Sequence, residues 1–203
     1  MKLFSHNAVI KYKNAESYRI GNAEYPASEL TKIDIRWLSG SIEIVADKSN
    51  GQPECDRIFI EESGAAVLPE EKKMRTLCEN GVLKIQFYQS NCKGSVNQNE
   101  KRLKITLPAT KFLSGITITS ASAAVILSDL SVQKLQIETA SGNIAIGTGD
   151  FKKPQNGARI LFDTACGKIE TKEGYISDRG AYLYGNGARN VAVSTASGLL
   201  TIK

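Results

Sequence analysis

Apolar and polar positions alternate along this chain in short blocks, and five of those blocks are copies of one another. They are residues 33–44 (IDIRWLSGSIEI), 116–127 (ITITSASAAVIL), 135–146 (LQIETASGNIAI), 160–171 (ILFDTACGKIET) and 191–202 (VAVSTASGLLTI). Twelve positions align without a gap. Apolar residues fill positions one, three and ten of every copy and position twelve of four; copy four has Thr171 there. Position seven is Ser39, Ser122, Ser141, Cys166 and Ser197, and position eight is Gly40, Ala123, Gly142, Gly167 and Gly198. Positions one, three and five share one face of an extended strand. Beyond the Ser-Gly pair the apolar parity moves to positions ten and twelve, so one residue is spent off the alternation at a corner. Glycine suits that corner because it takes positive φ without a Cβ clash. Gly40, Gly142, Gly167 and Gly198 are therefore read as structural corner residues. Ala123 implies a corner that is built differently or strained.

Two structures fit this pattern. One is a hairpin with Ser-Gly as its loop, pairing Ile35 with Ile44 and Trp37 with Ile42. The other is a rung of a β-solenoid with Ser-Gly between two strand segments. Near-identity of the copies favours the solenoid, since stacked rungs place equivalent residues in columns. The expected fold is all-β: a right-handed β-helix-like solenoid with a hairpin-containing N-terminal region, forming one domain over 1–203. Residues 1–30 read as a lead-in that caps the stack, 31–110 as a first rung plus hairpin, and 111–203 as four repeats. The hairpin signal is Asn80-Gly81, set between two apolar runs in 74–88. Strands are also expected over 57–61 and 103–107, and loops over 47–56 and 89–100. The linkers between copies lengthen along the chain, with insertions at 150–157 and 173–190. The chain stops one residue past copy five, so that rung is expected to present an uncapped edge.

Composition changes little. At 203 residues with 41% hydrophobic and 23% charged residues, the chain is long enough for a sizeable core and ordinary for a globular protein. A net charge of +5 comes partly from Lys72-Lys73-Met74-Arg75 and Lys101-Arg102-Leu103-Lys104. Both follow glutamates and read as solvated faces, without the unbroken basic surface that nucleic acid requires. No apolar run is long enough for a transmembrane helix, so no membrane insertion is expected. Met1–Asn7 lacks the apolar stretch of an export signal; as written the chain reads as cytoplasmic. The cysteines, Cys55, Cys78, Cys92 and Cys166, form no CxxC, and His6 is the lone histidine, so no metal site or cofactor is expected.

The segment Lys11–Tyr18, the unit 33–44 and the recurring Thr-Ala-Ser-Gly-x-Ile/Leu-x-Ile copies together resemble a bacterial β-strand-repeat family known as "putative adhesins", a domain family of unknown function. The resemblance covers nearly the whole chain. It implies a β-helix-like solenoid associated with the cell envelope or surface, and supplies no catalytic residues to carry over.

Three functional classes follow. The first is a non-catalytic interaction module with a protein or glycan partner; Tyr175, Tyr182 and Tyr184 in the last insertion are its candidate contact residues, with packing of that insertion on the stack as the alternative. The second is a carbohydrate-active enzyme, which needs converging carboxylates. The candidates are Asp129, Asp150, Asp163 and Asp178, each of which also reads as a turn or surface residue. The third is a scaffold that self-assembles into a homo-oligomer through the C-terminal edge strand. No nucleophile elbow or P-loop is present. The first class is expected, with no enzyme activity.

Overall fold

The structure, a computed structural model, describes residues 10–47, 56–64, 67–92, 101–147, 157–171, 176–178 and 181–203. They hold no α-helix, only short 3-10 turns between strands. The lead-in forms β1 (Arg19–Ile20) and β2 (Ala23–Pro26), and copy one forms β3 (Lys32–Trp37) and β4 (Ser41–Asp47). Then come β5 (Arg57–Ser63), β6 (Arg75–Glu79), β7 (Val82–Gln86) and β8 (Arg102–Pro108). Short β9 (Phe112–Leu113) precedes copy two, which is β10 (Gly115–Ser120) and β11 (Ala124–Ser128). Short β12 (Ser131–Val132) precedes copy three, β13 (Lys134–Thr139) and β14 (Ile144–Ile146). Copy four is β15 (Ala158–Thr164) and β16 (Lys168–Thr171); β17 (Ile176–Asp178) and β18 (Ala181–Tyr184) lie in the last insertion; copy five is β19 (Arg189–Thr195) and β20 (Leu199–Ile202).

The first strand of every copy joins a ten-stranded sheet and the second an eight-stranded one. Because β3 and β4 belong to different sheets, the Ser-Gly hairpin is excluded. Equivalent residues pair in parallel and in register: Ile33 beside Ile116, Ile116 beside Leu135, Leu135 beside Val191. The eight-stranded sheet repeats this with Ile42, Val125, Ile144 and Leu200. Each apolar position thus becomes a buried column running through the core, and each Ile or Leu contributes about 2 kcal/mol by leaving water. A third, two-stranded sheet pairs β9 with β12. Its line continues in backbone bonds from Ser114 N to Thr31 O, Gln133 N to Leu113 O and Asn190 N to Gln133 O.

Spatial order departs from chain order in two ways. Copy five lies between copies three and four, since β19 pairs with both β13 and β15, and β20 with both β14 and β16. The expectation of an uncapped C-terminal rung is therefore corrected: β20 is interior, and β16 is the outer strand of its sheet among the described residues. Copy four occupies the end of the stack, where Phe162, Ile169 and Thr171 are only half-buried. The single polar residue at position twelve is thus the one that meets no further unit.

At the other end, copy one is not the first unit. β7 pairs in parallel with β3 and β8 with β4, matching Leu83 and Ile85 to Ile33 and Ile35, and Leu103 and Ile105 to Ile42 and Ile44. Residues 82–108 are a sixth unit whose Ser-Gly corner is replaced by a long insertion. Antiparallel strands close this end: β6 and β1 in one sheet, β5 and β2 in the other. The β6–β7 hairpin turns at Asn80 (φ 51°) and Gly81 (φ 75°), the pair of positive values that a type I′ turn requires.

Candidate functional site

The Ser-Gly corner is the most conspicuous motif, and its polar atoms face backbone. Thr139 Oγ1 donates to Ser141 O at 2.6 Å, Thr195 Oγ1 repeats this with Ser197 O at 2.6 Å, and Ser120 Oγ donates to Thr139 Oγ1 at 2.9 Å. In copy four Thr164 Oγ1 accepts from Gly167 N at 2.7 Å. Gly40, Gly142 and Gly198 take φ of 86°, 122° and 136°. A Cβ on Gly142 would lie 2.4 Å from Ala123 O, and one on Gly198 2.4 Å from Gly142 O. Gly167 lies outside the left-handed region, yet its Cβ would meet Gly198 O at 2.6 Å. So close approach of stacked backbones requires glycine here as much as φ does. Ala123 has no positive φ, so its corner is built differently. Cys166 Sγ lies 3.2 Å from Ala196 O.

The capped end carries a different chemistry. Lys101 is 2% exposed. Its ammonium pairs with Glu62 Oε1 at 2.6 Å, donates to Lys72 O at 2.8 Å and to Phe87 O, and lies over the rings of Trp37 and Phe87, which meet edge to face. The Glu62 carboxylate also accepts from Met74 N at 3.0 and 3.1 Å. Burial drives the Lys101 ammonium down to about 8, against the pull of Glu62. The basic clusters are thus not wholly solvated faces: Lys101 and Arg75 point inward. For Lys101 the signal was present, because it shares the parity of Leu103, Ile105 and Leu107.

Beside this pair, a cleft of about 570 Å³ opens between the lead-in and the hairpin. Its aromatic wall is Tyr12 and Tyr18, with ring centroids 4.7 Å apart. Both tips are anchored: Tyr12 Oη donates to Tyr88 O at 3.0 Å, and Tyr18 bonds the Gln86 side chain. Arg75 also lines the cleft and is 5% exposed. Its Nη2 reaches Gln89 Oε1 at 3.5 Å, while Nη1 is buried with no hydrogen-bond partner among the described residues. Asn14, Gln89, Ser90 and Asn91 also line the cleft. Burial pushes the Tyr12 phenol up to about 12 and raises Tyr18 and Tyr88 as well, so none is poised to ionise.

The residues singled out from sequence are not in this cleft. Tyr182 and Tyr184 share one face of β18 and pack half-buried against the core. Tyr175 and Asp150 fall outside the described residues, as does the side chain of Asp178. Asp163 is exposed on β15, and Asp129 takes φ 58° in the turn after β11, in the other sheet. Cys78, Cys92 and Cys166 form no disulfide among the described residues, Cys55 and His6 lie outside them, and burial raises the Cys78 thiol. The cleft was missed because it joins Tyr12 to Ser90 across 78 residues, with no local spacing to mark it.

No known family model matches the sequence, and no curated protein is similar to it. Solved structures do match. A "putative cell adhesion protein" from Clostridium sporogenes is 13% identical with a TM-score of 0.54, over 92% of this chain and 99% of that one. A "putative adhesin" from Parabacteroides distasonis is 13% identical with a TM-score of 0.36, over 90% of this chain and 67% of that one. A further "putative adhesin", from Bacteroides fragilis, is 10% identical with a TM-score of 0.29, over 91% and 97%. The chain thus shares the fold of the Clostridium protein, in line with the resemblance to bacterial "putative adhesins" that its repeats carry.

Proposed function

We propose that this chain is a non-catalytic, adhesin-like interaction module: one domain whose repeat body is a right-handed β-helix-like solenoid and whose capped end binds a partner. Three parallel ladders visited in the same unit order support the winding, and parallel crossovers are right-handed in roughly 98% of cases. The observation that carries the binding reading is the cleft under Tyr12 and Tyr18. It lines an open cleft with the largely buried Arg75 guanidinium, the Glu16 and Glu70 carboxylates and several hydrogen-bonding side chains, beside phenols held in their unreactive form. Such a site recognises without activating a nucleophile. Fluorescently labelled protein on a glycan array, with release of reducing ends from polyuronates measured on the same preparation, tests the reading. Binding without turnover is expected. Turnover that is lost on Asp163→Asn would overturn it, as would absence of binding both to the array and to envelope proteins.

Self-association is a second reading, moved from the C-terminal strand to β16, whose outer edge is unpaired among the described residues. Concentration-dependent sedimentation abolished by Glu170→Pro would support it; a monomer throughout would remove it.

A further inference from the structure

We infer that the cleft between the lead-in and the hairpin is a site for an acidic sugar, whose carboxylate sits on the Arg75 guanidinium and whose ring lies against Tyr12 and Tyr18. This rests on reading the chain as a binding module and adds the chemical class of its ligand.

The argument begins with charge. Arg75 and Lys101 are both buried at this end, and among the described residues the carboxylate buried beside them is that of Glu62. Glu62 is already committed to Lys101 and to Met74 N. One buried positive charge is left over, and a guanidinium cannot shed its proton as an amine can. A buried charge without a counter-charge is costly, and so is a buried N–H without an acceptor. Arg75 Nη1 is such an N–H, on a residue that lines an open cleft. A carboxylate supplies both the charge and the acceptor, and arginine offers it two parallel donors.

The rest of the lining selects the body of the ligand. Tyr12 and Tyr18 are fixed platforms because their hydroxyls are bonded elsewhere. Asn14, Gln89 and Asn91 are exposed amides at the rim, able to donate to and accept from ring hydroxyls. Asn14 and Asn91 both hold left-handed backbone (φ 54° and 62°). The carboxylates of Glu16 and Glu70 also border the cleft. They accept from hydroxyls and oppose further acid groups, which favours a ligand carrying one carboxylate per ring over a polyanion. A peptide carboxyl terminus is met instead by a nest of backbone N–H groups, whereas this cleft is bordered by the polar residues Arg75, Asn14, Gln89 and Asn91.

Titration calorimetry of the full chain tests this with trigalacturonate, triglucuronate and sialyllactose as acidic probes, and with the methyl ester of trigalacturonate and a neutral trisaccharide as controls. At least one acidic probe should bind, and methyl esterification should weaken it about tenfold or more, the loss of one charge-assisted hydrogen bond. Gln89→Trp, which fills the cleft and removes the acceptor of Arg75 Nη2, should abolish binding while the chain still unfolds in one cooperative transition. Arg75→Lys should weaken binding while Tyr182→Ala leaves it intact. Equal affinity for acid and ester, or unchanged binding by Gln89→Trp, would overturn the site. Binding of neutral glycans alone would overturn the ligand class while leaving the module reading standing. Failure of every saccharide, with an envelope protein bound instead, would do the same.

Discussion

The two ends of the stack are built from the same unit and finished in opposite ways. At the capped end both sheets are closed by antiparallel strands, and the last parallel unit swaps its small corner for Phe87 against Trp37. At the far end the ten-stranded sheet is closed by β18 and β17, while among the described residues the eight-stranded sheet stops at β16. Between them, polar side chains such as Thr139 and Thr195 are satisfied within their own corners. At the capped end Lys101, Glu62 and Arg75 are buried together, and Arg75 Nη1 has no acceptor among the described residues; Arg189, at the start of β19, is a further buried arginine. Stacking satisfies the corner side chains where a neighbouring unit exists. Where units end, the chain spends long insertions, and there binding chemistry has room to arise.

The largest expected effect is at the capped end. Lys101→Met leaves the Glu62 carboxylate buried without its cation and should cost about 3–5 kcal/mol, read as a shift of the urea midpoint. Adding Glu62→Gln should recover part of that loss. Full additivity of the two changes would mean that the pair is not coupled.

Inside the stack, Gly142→Val drives a Cβ into Ala123 O at φ 122° and should cost about 3 kcal/mol or more. For a chain of this size that lowers the melting temperature by roughly 6–12 °C. An unperturbed Gly142→Val protein would sink the close-stacked corner. Thr139→Val removes the donor to Ser141 O and the acceptor for Ser120 Oγ, and about 1–2 kcal/mol is expected. Ser141→Ala should stay within about 0.5 kcal/mol.

A further effect is pH-dependent. Lys101 falls from its ordinary 10.5 to about 8 on folding, so between those values the unfolded chain binds the extra proton. Its contribution to stability is therefore present above 10.5 and lost as pH falls through 8. Tyr12 runs the other way: with its phenol raised from 10.0 to about 12, its contribution holds below 10 and is lost as pH rises through 12. Stability should climb from pH 8 to 10, and the climb should be absent in the Lys101→Met, Glu62→Gln double variant.

The columns at positions one, three, ten and twelve, the corner and the Asn80-Gly81 hairpin were all legible in the alternation, because each is a local pattern. Thr171 also carried a message, as the one polar residue at position twelve, yet it pointed to the end of the stack only once copy four was seen there. Unit order was not legible, since five equivalent copies pair equally well in several sequences, and linker length alone does not choose among them. The sixth unit was hidden by the long insertion between Phe87 and Leu103, although Leu83–Phe87 matches Ile33–Trp37 residue for residue in pattern. The cleft was least legible, because Tyr12, Arg75 and Gln89 meet through the pairing of β1 with β6 and through bonds from the lead-in to Tyr88, Ser90 and Asn91, all distant in sequence.

The order of the stack is the claim on which both ends depend, and disulfide trapping tests it most directly. In a background with all four native cysteines replaced by serine, Gln136→Cys with Ala192→Cys places two thiols on paired positions of β13 and β19. Gln136→Cys with Leu161→Cys places them one strand further apart, since Leu161 pairs with Ala192. Rapid cross-linking of the first pair and none of the second is predicted. Cross-linking of the second pair alone would mean that the copies stack in chain order, contradicting the placement of copy five.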